Sequence, residues 1–231
     1  MLKVENLAFS YGEVEILRDV SIDVPAARVV CVMGRNGVGK TTLMKSIVGL
    51  LKPSRGAILL GQKALDKFGP HMRARAGLGY VPQGRMIFPK LTVEENLQIG
   101  LSACPDRKTR VPEEIYELFP VLKSMTTRMG GDLYGGQQQQ LAIGRALATN
   151  PQVLILDEPT EGIQPNIIQQ IGRVLRQLVE TKQMTVLIVE QYLDFVREFC
   201  QQFYIMNRGT VVASGDTKDL RQDVVREFLS V

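Results

Sequence analysis

A short stretch near the N-terminus combines glycines, a lysine and threonines at a spacing that suits phosphate binding. It reads Gly34-Arg35-Asn36-Gly37-Val38-Gly39-Lys40-Thr41-Thr42 and fits the pattern G-x-x-x-x-G-K-[ST] without a mismatch. Glycines let backbone N–H groups turn inward around a phosphate, Lys40 offers charge to β- and γ-phosphates, and the Thr41 hydroxyl can coordinate Mg²⁺. An incidental glycine-rich turn is the alternative. The buried strand before the loop and the helical pattern after it favour the phosphate site.

Two carboxylates follow an apolar run later in the chain. Val153-Leu-Ile-Leu is followed directly by Asp157 and Glu158, and ligands bind at the carboxyl ends of strands in open α/β sheets. In that position Asp157 would hold Mg²⁺, directly or through water. Glu158 would polarise the water that attacks the γ-phosphate. Acidic residues also end strands without any function, but a phosphate loop upstream favours the catalytic interpretation.

The elements that position these residues alternate between strands and helices. Val29–Met33, 153–157, 184–190 and 202–206 are apolar enough to be buried strands, whereas 2–7, 21–24 and 57–60 are short or half-buried strands. Helical periods are found after Lys40 and near 165–181 and 192–199. Buried strands that alternate with helices predict an α/β protein with a mostly parallel sheet covered on both faces.

Residues 88–147 have a different, mainly helical character. Thr92 and Glu95 form a predicted capping box at the start of one helix, and a second helix over 112–119 has Pro112 in its first turn. We interpret this section as a helical insertion in the α/β chain.

The composition of the 231 residues is that of a soluble globular protein, with 45% hydrophobic and 23% charged residues. The longest apolar runs are far shorter than the ~20 residues of a membrane span, and the N-terminus lacks a signal-peptide profile, so a cytosolic location is expected. A net charge of +4 without a long basic run does not predict nucleic-acid binding. Cys31, Cys104 and Cys200 are expected to be small buried residues, and the single histidine, His71, to lie on the surface.

With these motifs in place, the whole chain resembles the ATP-binding subunits of ABC transporters. The deciding segment is Leu133-Tyr134-Gly135-Gly136-Gln137 and the helix that follows it, which is similar to the family's L-S-G-G-Q signature. Two further positions match. Gln83, in Val81-Pro-Gln, is similar to the glutamine loop that senses Mg²⁺ and water, and Tyr11 is placed like the aromatic residue that stacks on adenine. Without the resemblance, Tyr11 would be interpreted as a packed strand residue.

The resemblance implies a P-loop, RecA-like core with a small antiparallel β region. The core would comprise residues 1–87 and 148–231 of a single domain, with an inserted α-helical lobe at 88–147 that carries the signature. It also implies that ATP and Mg²⁺ are the cofactors. Two subunits would close head to tail, so that ATP lies between the phosphate loop of one and the signature of the other. That closure would move two membrane permease subunits. A solute-binding protein would deliver the solute to those permeases.

The chain departs from the family pattern at two positions. The family usually has a histidine that contacts the γ-phosphate where this chain has Gln191, which can donate a hydrogen bond but cannot become cationic. The signature usually has a serine where this chain has Tyr134. Both departures would weaken every site of a homodimer, so we expect a heterodimer with a second ABC ATPase, located peripherally at the cytoplasmic face of the inner membrane.

Within the family, the chain is most similar to branched-chain amino acid importer ATPases, and more narrowly to the ATPase subunits of urea importers. Residues 33–43, 81–89 and 158–165 carry this likeness. Two alternatives stay open. The first is a soluble ABC protein acting on ribosomes or DNA, although such proteins usually carry a second nucleotide domain or long coiled-coil insertions. The second is a regulatory subunit that binds ATP and hydrolyses little.

A loop beside Gln83 presents three apolar residues in succession, Met86, Ile87 and Phe88. An exposed apolar loop predicts a docking surface, here for a helix of a membrane subunit. Packing of the same three residues against the helical lobe is the alternative.

Overall fold

The computed structural model describes residues 1–104 and 109–229. Part of the predicted helical lobe, residues 105–108, therefore lies outside the described residues.

Within those ranges the chain forms ten strands and nine α-helices. The strands are β1 (Leu2–Tyr11), β2 (Val14–Val24), β3 (Val29–Met33), β4 (Arg55–Leu60), β5 (Lys63–Ala64), β6 (Leu78–Val81), β7 (Val153–Asp157), β8 (Thr185–Val189), β9 (Gln202–Asn207) and β10 (Thr210–Asp216). The helices are α1 (Lys40–Ile47), α2 (Pro70–Arg75), α3 (Val93–Leu101), α4 (Glu113–Leu118), α5 (Pro120–Lys123), α6 (Gly135–Leu147), α7 (Pro165–Lys182), α8 (Leu193–Phe199) and α9 (Gln222–Phe228).

The main sheet of the described chain has six strands in the order β10-β9-β3-β8-β7-β6. Every neighbouring pair from β9 to β6 is parallel, and β10 alone runs antiparallel, against β9. The predicted α/β class with a mostly parallel sheet is therefore confirmed. Because the strands are parallel, the carboxyl ends of β3, β8, β7 and β6 meet at one edge, where the predicted chemistry lies.

A second sheet has the order β2-β1-β4-β5 in the part of the chain described, and all its pairs are antiparallel. It is the small antiparallel region that the resemblance implied. Its strand β1 ends at Tyr11, so this sheet brings the tyrosine to the edge of the nucleotide site.

The two faces of the main sheet belong to different apolar clusters, because successive side chains of a strand point to opposite faces. On β7, Leu154 and Leu156 pack with the helices of the predicted lobe and with α7 and α8, whereas Val153 and Ile155 pack with α1 and the antiparallel sheet. Burial on both faces explains why these strands read as continuous apolar runs.

The helices follow their sequence patterns closely. Thr92 accepts from the Glu95 N–H, and the Glu95 carboxylate accepts from the Thr92 N–H, so the predicted capping box is confirmed. The prediction for Pro112 is wrong by one position: it is the N-cap of α4, with a non-helical ψ of 133°, and the helix begins at Glu113.

The two N-terminal strands are longer than predicted, because irregularities in the β1–β2 register let them continue past the break in alternation. Strands β6 and β10 were not predicted, since β6 has four residues and β10 is half-exposed. All three cysteines are buried and unpaired, and His71 is exposed, as expected. The domain boundaries at 88 and 147 stay a prediction.

Candidate nucleotide site

The glycine-rich loop connects β3 to α1 with a backbone that other residues would not tolerate. Gly34 has φ 148°, and a Cβ there would lie 2.5 Å from the Met206 carbonyl oxygen. Gly39 has φ 107°, and a Cβ there would lie 3.0 Å from Leu17. Gly39 is also the N-cap of α1 and brings no side-chain cap, so the first-turn N–H groups of the helix stay available to an anion.

Lys40 is held under this loop, with 4% of its surface exposed. Its Nζ donates to the carbonyl oxygens of Gly34 at 2.8 Å and Arg35 at 2.9 Å, and lies 3.8 Å from Glu158 Oε1. Burial lowers the pKa of Lys40, and the carboxylates of Glu158 and Asp157 partly oppose that shift. Hydrogen bonds to two carbonyl groups thus hold the ammonium group of Lys40 inside the loop.

Asp157 ends β7 next to the first turn of α1. Its Oδ1 accepts a long hydrogen bond of 3.4 Å from the Thr41 hydroxyl, whereas its buried Oδ2 has no hydrogen-bond partner among the described residues. Burial raises the pKa of the Asp157 carboxyl, and the Thr41 hydroxyl and Lys40 act against that rise. A carboxylate oxygen without a partner, beside a hydroxyl, is an oxygen donor set that fits Mg²⁺.

Glu158 adopts an uncommon backbone conformation, with φ 51°. Its N–H donates to the Val189 carbonyl at 2.9 Å, which holds the residue against the end of β8. A non-glycine residue in the left-handed region costs roughly 1–3 kcal/mol, and such strain is found most often at functional sites. The conformation turns the carboxylate toward Lys40 and the phosphate loop.

Two glutamines from neighbouring strand ends meet this carboxylate. Gln83 Nε2 lies 3.1 Å from Glu158 Oε2 and 3.1 Å from Glu161 Oε2. Gln191 Nε2 lies 2.9 Å from Glu158 Oε1 and 2.8 Å from Asn36 Oδ1. With Lys40 Nζ at 3.8 Å, groups from three segments that are distant in sequence therefore converge on one carboxylate.

A cavity of about 390 Å³ opens over the phosphate loop. Predicted residues that line it include Tyr11, Asn36, Gly37, Gly39, Lys40, Thr41, Thr42, Gln83 and Glu158. Tyr11 is half-exposed at its rim, with its ring edge-on to Phe9 at 4.8 Å between centroids. Val38 lies in the same loop with its half-buried side chain packed against the core, and its role in nucleotide binding stays a prediction.

The signature residues lie elsewhere: in the part of the chain described, none of Tyr134, Gly135, Gly136 and Gln137 lines this cavity. Tyr134 is 76% exposed, and its N–H donates to Gln137 Oε1 at 3.1 Å at the start of α6. A Cβ on Gly135 would lie 3.0 Å from the guanidinium of Arg85, and one on Gly136 would lie 3.1 Å from Ile167. The fold thus exposes Tyr134 and leaves residues 135–137 half-buried, and none of the four lines the cavity over the chain's own phosphate loop.

The apolar loop beside Gln83 is only partly exposed. Met86 and Phe88 are 67% and 44% exposed, whereas Ile87 is half-buried against the core. The Arg145 guanidinium from α6 donates to the Met86 carbonyl at 2.8 Å and lies 5.0 Å from the Phe88 ring centroid. The expectation of three apolar residues exposed in succession is therefore wrong for Ile87.

Three further residues of the site, Tyr80, Glu161 and Glu190, were not predicted from the sequence. Glu161 shares the Gln83 amide with Glu158, and in the sequence it is marked only as part of the segment 158–165. Tyr80 has a buried hydroxyl without a hydrogen-bond partner in the described chain, and burial, together with the nearby Asp157 carboxylate, raises its pKa. Glu190 did carry a signal, because it is a carboxylate directly after a buried strand, just as Asp157 is.

No helix in the described ranges has the length and apolar character that crossing a membrane requires.

Comparison with known proteins gives a consistent picture. The sequence matches the profile of the ABC transporter family over residues 17–161, more than half of the chain. The high-affinity branched-chain amino acid transport ATP-binding protein BraG of Pseudomonas aeruginosa is 36% identical over 214 residues, covering 92% of this chain and 91% of the relative. The lipopolysaccharide export system ATP-binding protein LptB of Haemophilus influenzae is 33% identical over 227 residues, covering 96% and 93%.

Solved structures include nucleotide-bound forms of the same fold. An ABC transporter cassette in its ADP conformation matches with a TM-score of 0.83 and 31% identity, over 98% of this chain and 97% of that one. A dimeric cassette in a post-hydrolysis state bound to ADP and Pi matches with a TM-score of 0.84 and 26% identity, over 94% and 99%.

Proposed function

We propose, since this chain belongs to the ABC transporter family and is an ATPase, that it powers the uptake of a small solute of the branched-chain amino acid or urea class. Overall identity does not separate import from export, because relatives of both kinds are similar to a comparable degree. The proposal of uptake rests on the three importer-like segments at 33–43, 81–89 and 158–165. The first two of these segments contribute the phosphate loop and Gln83, and the third contributes Glu158 and Glu161.

The observation that carries the hydrolytic mechanism is the convergence on Glu158. In this mechanism the phosphate loop and Lys40 bind the β- and γ-phosphates, and Tyr11 stacks on the base. Glu158 accepts the proton of the attacking water, while Gln83 and Gln191 orient its carboxylate. Thr41 and Asp157, with Gln83, would hold Mg²⁺, which neutralises charge developing on the phosphates when bound.

The second half of each site comes from a partner ATPase in this proposal. The placement of the signature supports it, because Tyr134 is exposed and residues 134–137 do not line the chain's own cavity. The N-terminus of α6 would direct its partial positive charge at the partner's γ-phosphate. Since Gln191 weakens the site on this chain's phosphate loop and Tyr134 perturbs the opposite site, a heterodimer distributes the two departures between two sites.

Two permease subunits complete the proposed assembly, with this chain peripheral at the cytoplasmic face of the inner membrane. Met86 and Phe88 are the apolar side chains offered to a permease helix, and Arg145 fixes the loop that carries them. A solute-binding protein would act only through the permeases. Nucleic acid has no part in this function.

The direction and class of transport are tested by solute uptake in cells whose own copy of this gene is altered. Glu158→Gln should abolish ATP-driven uptake of radiolabelled leucine or urea, whereas Glu180→Gln, at an exposed position on α7, should retain most of it. Unchanged uptake of both solutes in the Glu158→Gln cells would refute the proposed class. Slower efflux of a solute from those cells would point to export instead.

A further inference from the structure

Glu190 is a buried carboxylate that the mechanism above does not use. It directly follows β8, is 3% exposed, and its N–H donates to the Val32 carbonyl at 3.2 Å. Its Oε1 accepts from the Thr160 N–H at 3.0 Å and from the Thr160 hydroxyl at 2.5 Å. Its Oε2 accepts from the N–H groups of Gln191 at 2.8 Å and Tyr192 at 3.0 Å.

These donors belong to two different segments of the nucleotide site. Thr160 lies two residues after Glu158, and Gln191 and Tyr192 begin the segment that follows β8. The side chains of Glu158 and Gln191 meet at 2.9 Å. One carboxylate therefore ties together the backbones on both sides of that contact.

The energetics favour a carboxylate over other side chains at this position. A buried ionised carboxylate costs several kcal/mol unless hydrogen bonds replace its hydration, and Glu190 accepts one O–H and three N–H bonds. A glutamine has the same size, but its amide nitrogen can only donate hydrogen bonds and cannot accept them. It would turn an N–H₂ group toward the Thr160 N–H or toward the N–H groups of the other segment, which leaves buried donors unpaired.

We propose that Glu190 is a positioning residue for ATP hydrolysis: it holds Gln191 against Glu158 and acts through that contact without touching the nucleotide. The proposal rests on the roles proposed above for Glu158 and Gln191. Because the phosphate loop is anchored separately through Lys40, the loss of Glu190 lowers turnover much more than it weakens ATP binding.

A double-mutant cycle tests this assignment. The kcat, the KM for ATP and the melting temperature are measured for the wild-type chain, Glu190→Gln, Gln191→Ala and the double variant. We expect Glu190→Gln to lower kcat about 10-fold or more with the KM within about 3-fold. In the Gln191→Ala background the same change should lower kcat less than about 2-fold, because residues that act as a unit are not additive.

Two results would overturn the proposal. One is that Glu190→Gln lowers the melting temperature but leaves kcat per folded chain unchanged. The other is that Glu190→Gln lowers kcat by the same factor in the wild-type and in the Gln191→Ala background. If Glu190→Gln does not fold, Thr160→Val replaces it in the cycle. The Thr160→Val change removes the hydrogen bond from the Thr160 hydroxyl to Glu190 and preserves the shape of the side chain. Failure of the proposed hydrolytic mechanism is detected separately: the Glu158→Gln variant would then hydrolyse ATP as fast as the wild type.

Discussion

The side-chain amide of Gln191 donates to the carboxylate of Glu158 across 2.9 Å, although 33 residues separate them in the sequence. The same nitrogen lies 2.8 Å from Asn36 Oδ1 in the phosphate loop. A single neutral amide therefore bridges the residue proposed as the base and the loop proposed to hold the phosphates. A glutamine can make this bridge without carrying charge, whereas a histidine could add a positive charge at the γ-phosphate.

Lys40→Ala should lower ATP affinity by about two orders of magnitude or more, because hydrogen bonds to charged groups contribute about 1.5–3 kcal/mol each and 1.4 kcal/mol is tenfold. The affinity is measured by calorimetry or with a fluorescent ATP analogue. Lys52→Ala removes an equal charge at an exposed position and should bind ATP as the wild type does. Equal affinities for both variants would contradict the role of Lys40.

Glu158→Gln should bind ATP normally and slow hydrolysis by about 10²–10⁴-fold, the usual contribution of a general base. The amide keeps the size of the side chain but cannot accept the proton, so an ATP-bound dimer with the proposed partner ATPase should accumulate when that partner is present. Steady-state phosphate release and size-exclusion chromatography with ATP measure the two effects. Glu180→Gln, at an exposed position on α7, is the control; if it slows hydrolysis just as much, Glu158 is not the specific base.

Asp157→Asn should raise the melting temperature of the nucleotide-free protein near pH 7.5. Burial raises the pKa of this carboxyl, so its ionised form is less favourable in the folded than in the unfolded chain. The group contributes most to stability below its ordinary pKa of 3.8 and loses that contribution as the pH rises through the folded value. The stabilising effect of asparagine should therefore shrink as the pH falls toward 4.

Thermal unfolding at both pH values, with and without Mg²⁺ and ATP, checks the Asp157→Asn prediction. The variant should also lose most of the extra stability that Mg²⁺ adds to the ATP complex, because it removes the unpartnered carboxylate oxygen. Asp132→Asn, at an exposed position, serves as the control. A variant that is less stable than wild type at pH 7.5 would refute the argument from burial.

Gln191→His and Tyr134→Ser should each raise the ATP turnover of the isolated chain several-fold. The first adds a side chain that can become cationic at the γ-phosphate, and the second returns a short hydroxyl to the signature. Turnover is measured at several protein concentrations, with Gln62→His in an exposed turn as the control. The heterodimer proposal fails if the unmodified chain alone dimerises tightly with ATP and hydrolyses it as fast as the assembled transporter.

Met86→Glu should uncouple transport from hydrolysis, because it places a charge on the most exposed apolar side chain of the loop beside Gln83. ATP turnover of the isolated chain should stay within about 2-fold of wild type, while solute uptake in cells falls about 10-fold or more, since a charge in an apolar contact costs several kcal/mol. Val212→Glu introduces the same charge on β10 and should leave uptake intact. Normal uptake with Met86→Glu would exclude this loop as the docking surface.

Much of this protein could be predicted from local patterns. The phosphate loop, the acidic end of β7 and the buried strands are each encoded within about ten consecutive residues. Their positions relative to the strands then follow from the rule that ligands bind at the carboxyl edge of a parallel sheet. The α/β class and the small antiparallel region were anticipated, one from the alternation of elements and the other from the family resemblance.

The contacts between segments could not be read in the same way. Neither the meeting of Gln83 and Gln191 on Glu158 nor the bridge made by Glu190 follows from residues near in sequence. Both depend on the strand order β3-β8-β7-β6, which places four distant strand ends side by side. Long-range pairing is selected by burial and hydrogen bonding over the whole chain, and so only the folded molecule decided which polar side chains meet at the nucleotide site.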